Sequence, residues 1–313
     1  SEELIAALSA AFADIGRDPS IRAVVVAANG PAFSAGHDLK QLTARRSDAD
    51  GGKAYFRLVM TSCSAMMQQI VALPQPVIAC VSGVATAAGC QLVATCDLAV
   101  ASSQARFATP GVDIGLFCST PMVALTRNIP RKNAMHMLLT GEPVTADEAL
   151  RLGLVNKVVP HGTELDAAFT LARLVASKSK ATVKIGKEAF YRQADMGLAE
   201  AYAYAAEVMT ENMMTHDANE GICAFIEKRT AVWEDRTCCA SPPVRPDNPD
   251  PGHCRWRRLG RGGCRRIACR DTRSVWNNLS RSDRRDAGLV GRGRTCDHRP
   301  AGAAPPPFDG VRA

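Results

Sequence analysis

Two short stretches carry the residue types from which a reactive site can be built. In the first, Leu73 to Asp97, small residues from Ala85 to Gly89 follow Gly83 and lead into a helical pattern at Leu92, Val93 and Cys96. Small side chains let another chain or a ligand approach the backbone. The first turn of a helix has amide N–H groups with no partner inside the helix, and the macrodipole adds partial positive charge there. Such a turn can hold an anion, including an oxyanion that exists only during a reaction. In the second stretch, Ile21 to Lys40, His37 stands beside Asp38. An imidazole titrates near neutrality, and a short carboxylate in a turn commonly bonds loop backbone. Gln91 follows Cys90; its amide can position a water but cannot take and return a proton near neutral pH. Small-residue turns are common, so on its own the first stretch reads first as a plain strand–turn–helix packing unit.

These groups need elements to hold them. Val77 to Val81 is a short apolar run bounded by Pro76 and Ser82-Gly83, which predicts a strand buried on both faces. Ala23 to Ala28 and Leu98 to Ala101 predict two more buried strands. Glu2 to Ile15 has apolar residues at helical spacing, and so does Tyr55 to Leu73, whose methionines are expected to fill core. Arg45 to Lys53 is polar, contains glycine, and predicts a mobile loop. Thr145 is placed to cap a helix over Ala146 to Leu152, with Glu148 at the capping-box position. Helices are further expected over Asp166 to Ala176, Ala199 to Met214 and Glu220 to Lys228.

Composition divides the chain. From Arg236 onward there are 17 Arg, no Lys and 7 Asp, a net charge of +10, which leaves residues 1–235 at −3 within the whole-chain +7. The basic character therefore belongs to the tail, whose Pro, Gly, Arg and Cys without periodicity resist a packed core. An arginine-rich tail can bind nucleic acid. Arginine without lysine is also what GC-rich DNA yields when read in another frame, and we give nucleic acid no role on this ground. Six of the 12 cysteines lie in the tail, and Cys254, Cys264 and Cys269 lack zinc-ligand spacing. The six earlier ones, such as Cys80 and Cys90, read as reduced core residues; no metal site is expected. No apolar stretch is long enough to span a membrane, and no N-terminal signal pattern is evident.

Five ordered motifs add a family resemblance. They are Phe33-Ser-Ala-Gly-His-Asp-Leu39, then Gly83 through Gly89-Cys-Gln-Leu92 with Cys96-Asp97, and Ala105-Arg-Phe107 through Gly115. Next come Leu139-Thr-Gly-Glu-Pro-Val-Thr-Ala146 followed by Gly153-Leu-Val155, and last Gly221 through Arg229. Over residues 1–235 the chain resembles the crotonase, or enoyl-CoA hydratase/isomerase, superfamily. The resemblance implies an α/β, ClpP-like spiral of repeated ββα units with a C-terminal helical oligomerisation region. It implies a spiral core over 1–160, without the family's N-terminal hairpin, a helical region over 161–235, and a separate tail over 236–313. It further implies a homotrimer or hexamer, an acyl-CoA thioester as substrate, and coenzyme A as part of that substrate rather than a separate cofactor.

The resemblance also implies a site. The backbone N–H groups of His37 and Ala88 correspond to the family's oxyanion hole. Ala35, Gly36, His37, Asp38, Leu39, Lys40 and Thr109 correspond to contacts with coenzyme A or substrate, and Phe225 and Lys228 to late-helix contacts with the nucleotide. A hydratase of this family uses two glutamates; Gln91 and Gly111 stand in their places, so the two-glutamate hydration mechanism cannot operate as written. Restoring both acids is expected to raise hydration if the turn at Gly111 accepts a side chain. Asp113 is the nearest acid to the vacant second position. The Ser-Ala-Gly-His-Asp wording also resembles a decarboxylase of malonyl-type thioesters in the superfamily, where the histidine lies at the reactive carboxylate. His37 is thus open to two roles, catalytic or a structural hydrogen bond. The functions that follow are an acyl-CoA enzyme relying on an oxyanion hole, with hydratase/isomerase-like or decarboxylase chemistry, or an acyl-CoA binder without catalysis. The location implied is the bacterial cytoplasm, or the mitochondrial matrix in a eukaryote.

Overall fold

The computed structural model describes residues 1–235, so expectations for the arginine-rich tail lie outside the described residues. Strand β3 (Val77–Val81) is buried along its whole length, and its alternation divides it between two cores. Val77, Ala79 and Val81 enter the larger core, and Ile78 and Cys80 the smaller. Parallel β1 (Val24–Ala27) and β5 (Leu98–Ser102) flank it, with Val24 opposite Val77 and Ile78 opposite Leu98. β8 (Lys157–Val159) completes a sheet of order β1-β3-β5-β8. The apolar run Val77–Val81 is the two-sided strand its composition predicts.

Each of the first three strands turns within a few residues into a strand of a second sheet. These are β2 (Ala32–Ser34), β4 (Val84–Thr86) and β6 (Arg106–Ala108), mutually parallel, with β7 (Val144–Thr145) antiparallel at the edge. The chain therefore lays one strand in each sheet and returns by helix, the strand–strand–helix spiral of the crotonase fold. Inner residues of both sheets, including Val81, Ala85, Ala101 and Phe107, share one core.

Helix α1 (Glu2–Arg17) packs on α3 (Lys53–Ala72), placing Phe12 with Cys63, Met66, Met67 and Ile70. Burial of side chains of this size stabilises by about 1.5–3 kcal/mol each. Between α1 and α3 run β1, β2 and the short α2 (Leu39–Ala44). Where the sequence predicts a mobile loop, residues 45–53 form capped turns. Asp50 accepts the Gly52 and Ala54 N–H groups at 3.0 and 2.8 Å, and Arg45 lies over the Tyr55 ring at 4.7 Å. α4 (Ala88–Thr95) packs on α5 (Ser119–Asn128), which is followed by α6 (Arg131–Thr140) and α7 (Ala146–Leu152). Thr145 caps α7 by accepting the Glu148 N–H at 3.2 Å, but the Glu148 carboxylate pairs with Arg151, so only half of the expected capping box forms.

α8 (Glu164–Ala176) covers the outer face of the first sheet, where Ala168 and Ala172 meet Ile78, Cys80 and Val100. α9 (Lys180–Gln193), α10 (Leu198–Met213) and α11 (His216–Glu227) complete the described chain. α9 is fastened by the Lys187 ammonium, which donates to Asp97 Oδ2 at 2.7 Å and to the carbonyls of Ile70 and Gln75 at 2.9 and 3.0 Å. The Tyr191 hydroxyl donates to Asp97 Oδ1 at 2.8 Å, and Asp97 Oδ2 also accepts the Val77 N–H at 2.7 Å. Among the described residues no helix is long and apolar enough to cross a membrane.

Candidate active site

Because β2 and β4 are parallel neighbours, the chain leaves both at the same edge of the second sheet. β2 ends at Ser34 and passes through Ala35, Gly36 and His37 to Asp38, the N-cap of α2. β4 ends at Thr86 and passes through Ala87 into α4 at Ala88. The two turns interlock through two glycines. A Cβ on Gly36 would lie 3.0 Å from Ala87 Cβ and 3.3 Å from the Ala88 nitrogen, and Gly36 adopts φ +95°. A Cβ on Gly89 would lie 2.1 Å from the Ser34 carbonyl oxygen. Only glycine permits both approaches. They set the His37 turn against the start of α4, and among the described residues neither the His37 nor the Ala88 N–H has a hydrogen-bond acceptor. The residue before Ala88, Ala87, has a positive φ, with φ 50° and ψ −117°. Both of its backbone groups are bound: its N–H donates to Ala108 O at 2.9 Å and its carbonyl accepts the Gln91 N–H at 3.0 Å. A non-glycine residue in such a conformation costs roughly 1–3 kcal/mol and persists where its surroundings over-determine it.

The side chains at the site are polar and under-used. Among the described residues the His37 side chain has no hydrogen-bond partner, and its Nε2 is buried. Burial holds the imidazole below its ordinary range, so it is neutral at neutral pH. Its ring borders a cavity of about 10 Å³, with Leu42, Tyr55 and Val59 among the walls, room for about one water. Gln91 is 4% exposed, and its Oε1 is likewise buried without a partner. Asp38 is structural, accepting the Lys40 and Gln41 N–H groups at 2.8 and 3.2 Å.

The second acid position differs most from expectation. Gly111 lies in the 3₁₀ turn Pro110–Ile114, and its carbonyl accepts the Leu116 N–H at 2.8 Å. A Cβ on Gly111 would lie 2.3 Å from the Leu116 carbonyl oxygen and 2.8 Å from Cys118 Sγ. The turn leaves no room for a side chain, so the condition on which restoring a glutamate there depends is not met. The sequence groups Cys118 with the reduced core thiols. Among the described residues Cys63, Cys80, Cys90, Cys96 and Cys118 are free thiols, all buried.

The other expected contacts separate. Thr109 is fully buried and its hydroxyl donates to the Met137 carbonyl at 2.9 Å, which ties β6 to α6 and withdraws it from any ligand, a correction to its expected role. Asp113 is exposed and turned to Gly141. Ala35, Leu39 and Lys40 are exposed beside the His37 turn. Phe225 is exposed and Lys228 caps α11 with φ 56°; α11 packs on α9 and α10 rather than on α2 or α4.

Among the described residues the arrangement offers two free amides, an orphaned carboxamide oxygen and a neutral imidazole, and neither acid position holds a carboxylate. Comparison with known proteins identifies the family. The profile of the family described as enoyl-CoA hydratase/isomerase matches residues 1–236. Enoyl-CoA hydratase domain-containing protein 3, mitochondrial, of Rattus norvegicus is 50% identical over 213 residues, 68% of this chain and 69% of that protein. The crystal structure of the human protein of that name is 46% identical, covering 74% of this chain and 90% of that chain with a TM-score of 0.70. An enoyl-CoA hydratase structure from Mycobacterium smegmatis is 50% identical, covering 73% and 87% with a TM-score of 0.69. The fold, the interlocked glycine turns and these likenesses converge: the chain belongs to the enoyl-CoA hydratase/isomerase family.

Proposed function

We propose that the protein binds an acyl-CoA thioester with its carbonyl oxygen between the His37 and Ala88 N–H groups, and that it stabilises an enolate there without hydrating a double bond. The observation that carries this reading is the pair of unpaired amides presented by the interlocked turns. Such donors act on charge that develops in the transition state, and so lower the barrier more than they tighten binding. Hydration additionally needs groups that activate water and deliver a proton, and Gln91 and the filled turn at Gly111 supply neither.

Loss of CO₂ from a malonyl-type thioester fits the remaining groups. The C–C bond to the carboxylate breaks, its electron pair moves onto the thioester oxygen, and no base is required. A neutral His37 in the tautomer protonated on Nε2 offers the carboxylate one N–H without the full charge that would hold it in the ground state. Coenzyme A arrives as part of the substrate. The lack of a carboxylate at both acid positions, Gln91 and Gly111, supports the second reading, an acyl-CoA binder without catalysis. Exposed apolar side chains such as Phe190, Leu198, Tyr202 and Phe225 on α9 to α11 support assembly as a homotrimer or hexamer. The bacterial cytoplasm or the mitochondrial matrix is where such a thioester would be met.

The test measures CO₂ release from methylmalonyl-CoA and hydration of crotonyl-CoA by one preparation. CO₂ release with negligible hydration is expected. Hydration at a rate ordinary for the family overturns the reading, and binding with neither reaction favours the binder.

A further inference from the structure

The residue that carries one of the two amides also borders a closed space. The His37 ring lies on the cavity of about 10 Å³ whose walls include Leu42 of α2 and Tyr55 and Val59 of α3. An acyl chain that leaves a carbonyl held at the His37 N–H therefore has this cavity beside it. The walls are fastened from outside. The Tyr55 hydroxyl donates to Glu2 Oε2 of α1 at 3.1 Å, and the Arg45 guanidinium covers the Tyr55 ring at 4.7 Å. Gly52, at φ +84°, lets the turn before α3 close on Arg45: a Cβ there would lie 2.7 Å from the Arg45 carbonyl oxygen and 2.8 Å from Phe56 Cζ. α2 is tied to α1 as well. The Glu2 N–H donates to Gln41 Oε1 at 3.3 Å, and the Gln41 carboxamide donates to Glu3 Oε2 at 3.1 Å. Val59 is 5% exposed and fixed in the packed face of α3.

We propose that Tyr55, with Leu42 and Val59, limits the length of the acyl group, so that the protein takes short-chain thioesters and turns away medium and long fatty acyl chains. The inference rests on the acyl-CoA reading above. A space for about one water holds one methyl or carboxylate group beyond the α-carbon, which sets the limit at about three or four carbons. In an open apolar pocket each further buried methylene would tighten binding by about fourfold. Here a longer chain must first turn the Tyr55 ring away from Glu2 and Arg45 and part α2 from α3, so that gain is offset. Malonyl-type and methylmalonyl-type thioesters lie within the limit.

Isothermal titration of the full chain with coenzyme A, propionyl-CoA and octanoyl-CoA tests the proposal, on wild type, Tyr55→Phe, Tyr55→Ala and Leu42→Ala. Octanoyl-CoA should bind wild type about tenfold more weakly than propionyl-CoA, the loss expected when a filled site must be forced apart. Tyr55→Phe keeps the ring and should keep that order. Tyr55→Ala removes the wall and should reverse it, octanoyl-CoA becoming the tighter ligand. Leu42→Ala widens the same cavity from α2; it should move the ratio the same way, and it serves where melting shows that Tyr55→Ala does not fold. Wild type that binds octanoyl-CoA as tightly as propionyl-CoA, or more tightly, overturns the limit. A folded Tyr55→Ala and Leu42→Ala that both keep the wild-type ratio overturn the assignment of the walls. Binding of neither coenzyme A nor propionyl-CoA is a different failure: it removes the acyl-CoA reading itself, and the length limit with it.

Discussion

The Leu116 carbonyl oxygen stands 2.3 Å from the place a Gly111 side chain would begin. That one relationship separates this chain from a two-glutamate hydratase more firmly than the missing carboxylate does, because backbone cannot yield as a flexible side chain can. Gly111→Glu, alone or with Gln91→Glu, should therefore lower stability by about 1–3 kcal/mol and leave hydration of crotonyl-CoA near background. Thermal melting and a hydration assay on the purified variants check this. A double variant that is stable and hydrates would show that the turn opens.

Gly89→Ala probes the interlocked turns. A methyl group 2.1 Å from the Ser34 carbonyl oxygen must push β2 and α4 apart, and with them the His37 and Ala88 amides. Binding of coenzyme A thioesters should weaken by about tenfold or more, the loss expected when charge-assisted donors are misplaced. Gly197→Ala, where nothing lies within 4 Å of the added Cβ, should bind as wild type does. Isothermal titration of both variants decides the point; equal affinity would separate the glycine contact from the site.

Lys187 and Asp97 hold α9 to the sheet, and each is largely buried, with side chains 7% and 14% exposed. Replacing one partner of a buried pair leaves the other uncompensated, at a cost of about 3–5 kcal/mol, while an apolar replacement of both is often tolerated. Lys187→Met should thus lower the denaturation midpoint more than the double variant Lys187→Met/Asp97→Leu does. Asp97 also accepts the Val77 N–H, so the double variant should still fall below wild type. A double variant no better than the single one would place the stabilisation in that amide bond rather than in the ion pair.

Much of this was legible beforehand, for reasons that differ by residue. Val77 to Val81 declared itself because a strand buried on both faces needs an unbroken apolar run. Asp38 and Thr145 declared themselves because capping is local chemistry. The helices α5, α6 and α9 were not foreseen: their apolar faces are short, and α9 depends on Lys187 meeting Asp97 ninety residues away in sequence. Thr109 looked like a ligand contact because nothing in its neighbourhood announces the Met137 carbonyl. The loss of space at Gly111 was invisible because it comes from backbone returning at Leu116. The strain at Ala87 was likewise hidden, since an alanine gives no sign of a positive φ.

His37 gives a prediction with a definite sign. Burial depresses its folded-state pKa, so as pH falls below about 6.5 the unfolded chain takes up the proton first and the folded state loses stability down towards the depressed value. His37→Gln should lose less than wild type between pH 7.5 and 5.5, as read by melting temperature. The variant keeps the backbone amide, so coenzyme A affinity should survive while CO₂ release falls about ten- to a thousandfold. Equal acid loss in both proteins would place the titrating group elsewhere, and unchanged turnover would remove the imidazole from the chemistry.

The central claim is that two backbone amides, at His37 and Ala88, polarise a bound thioester carbonyl. Infrared difference spectra of butyryl-CoA labelled with ¹³C at the carbonyl read that polarisation directly, whatever reaction follows. The bound band should move to lower frequency than the free one, and Gly89→Ala should move it back. A bound carbonyl at the frequency of the free thioester would contradict the account.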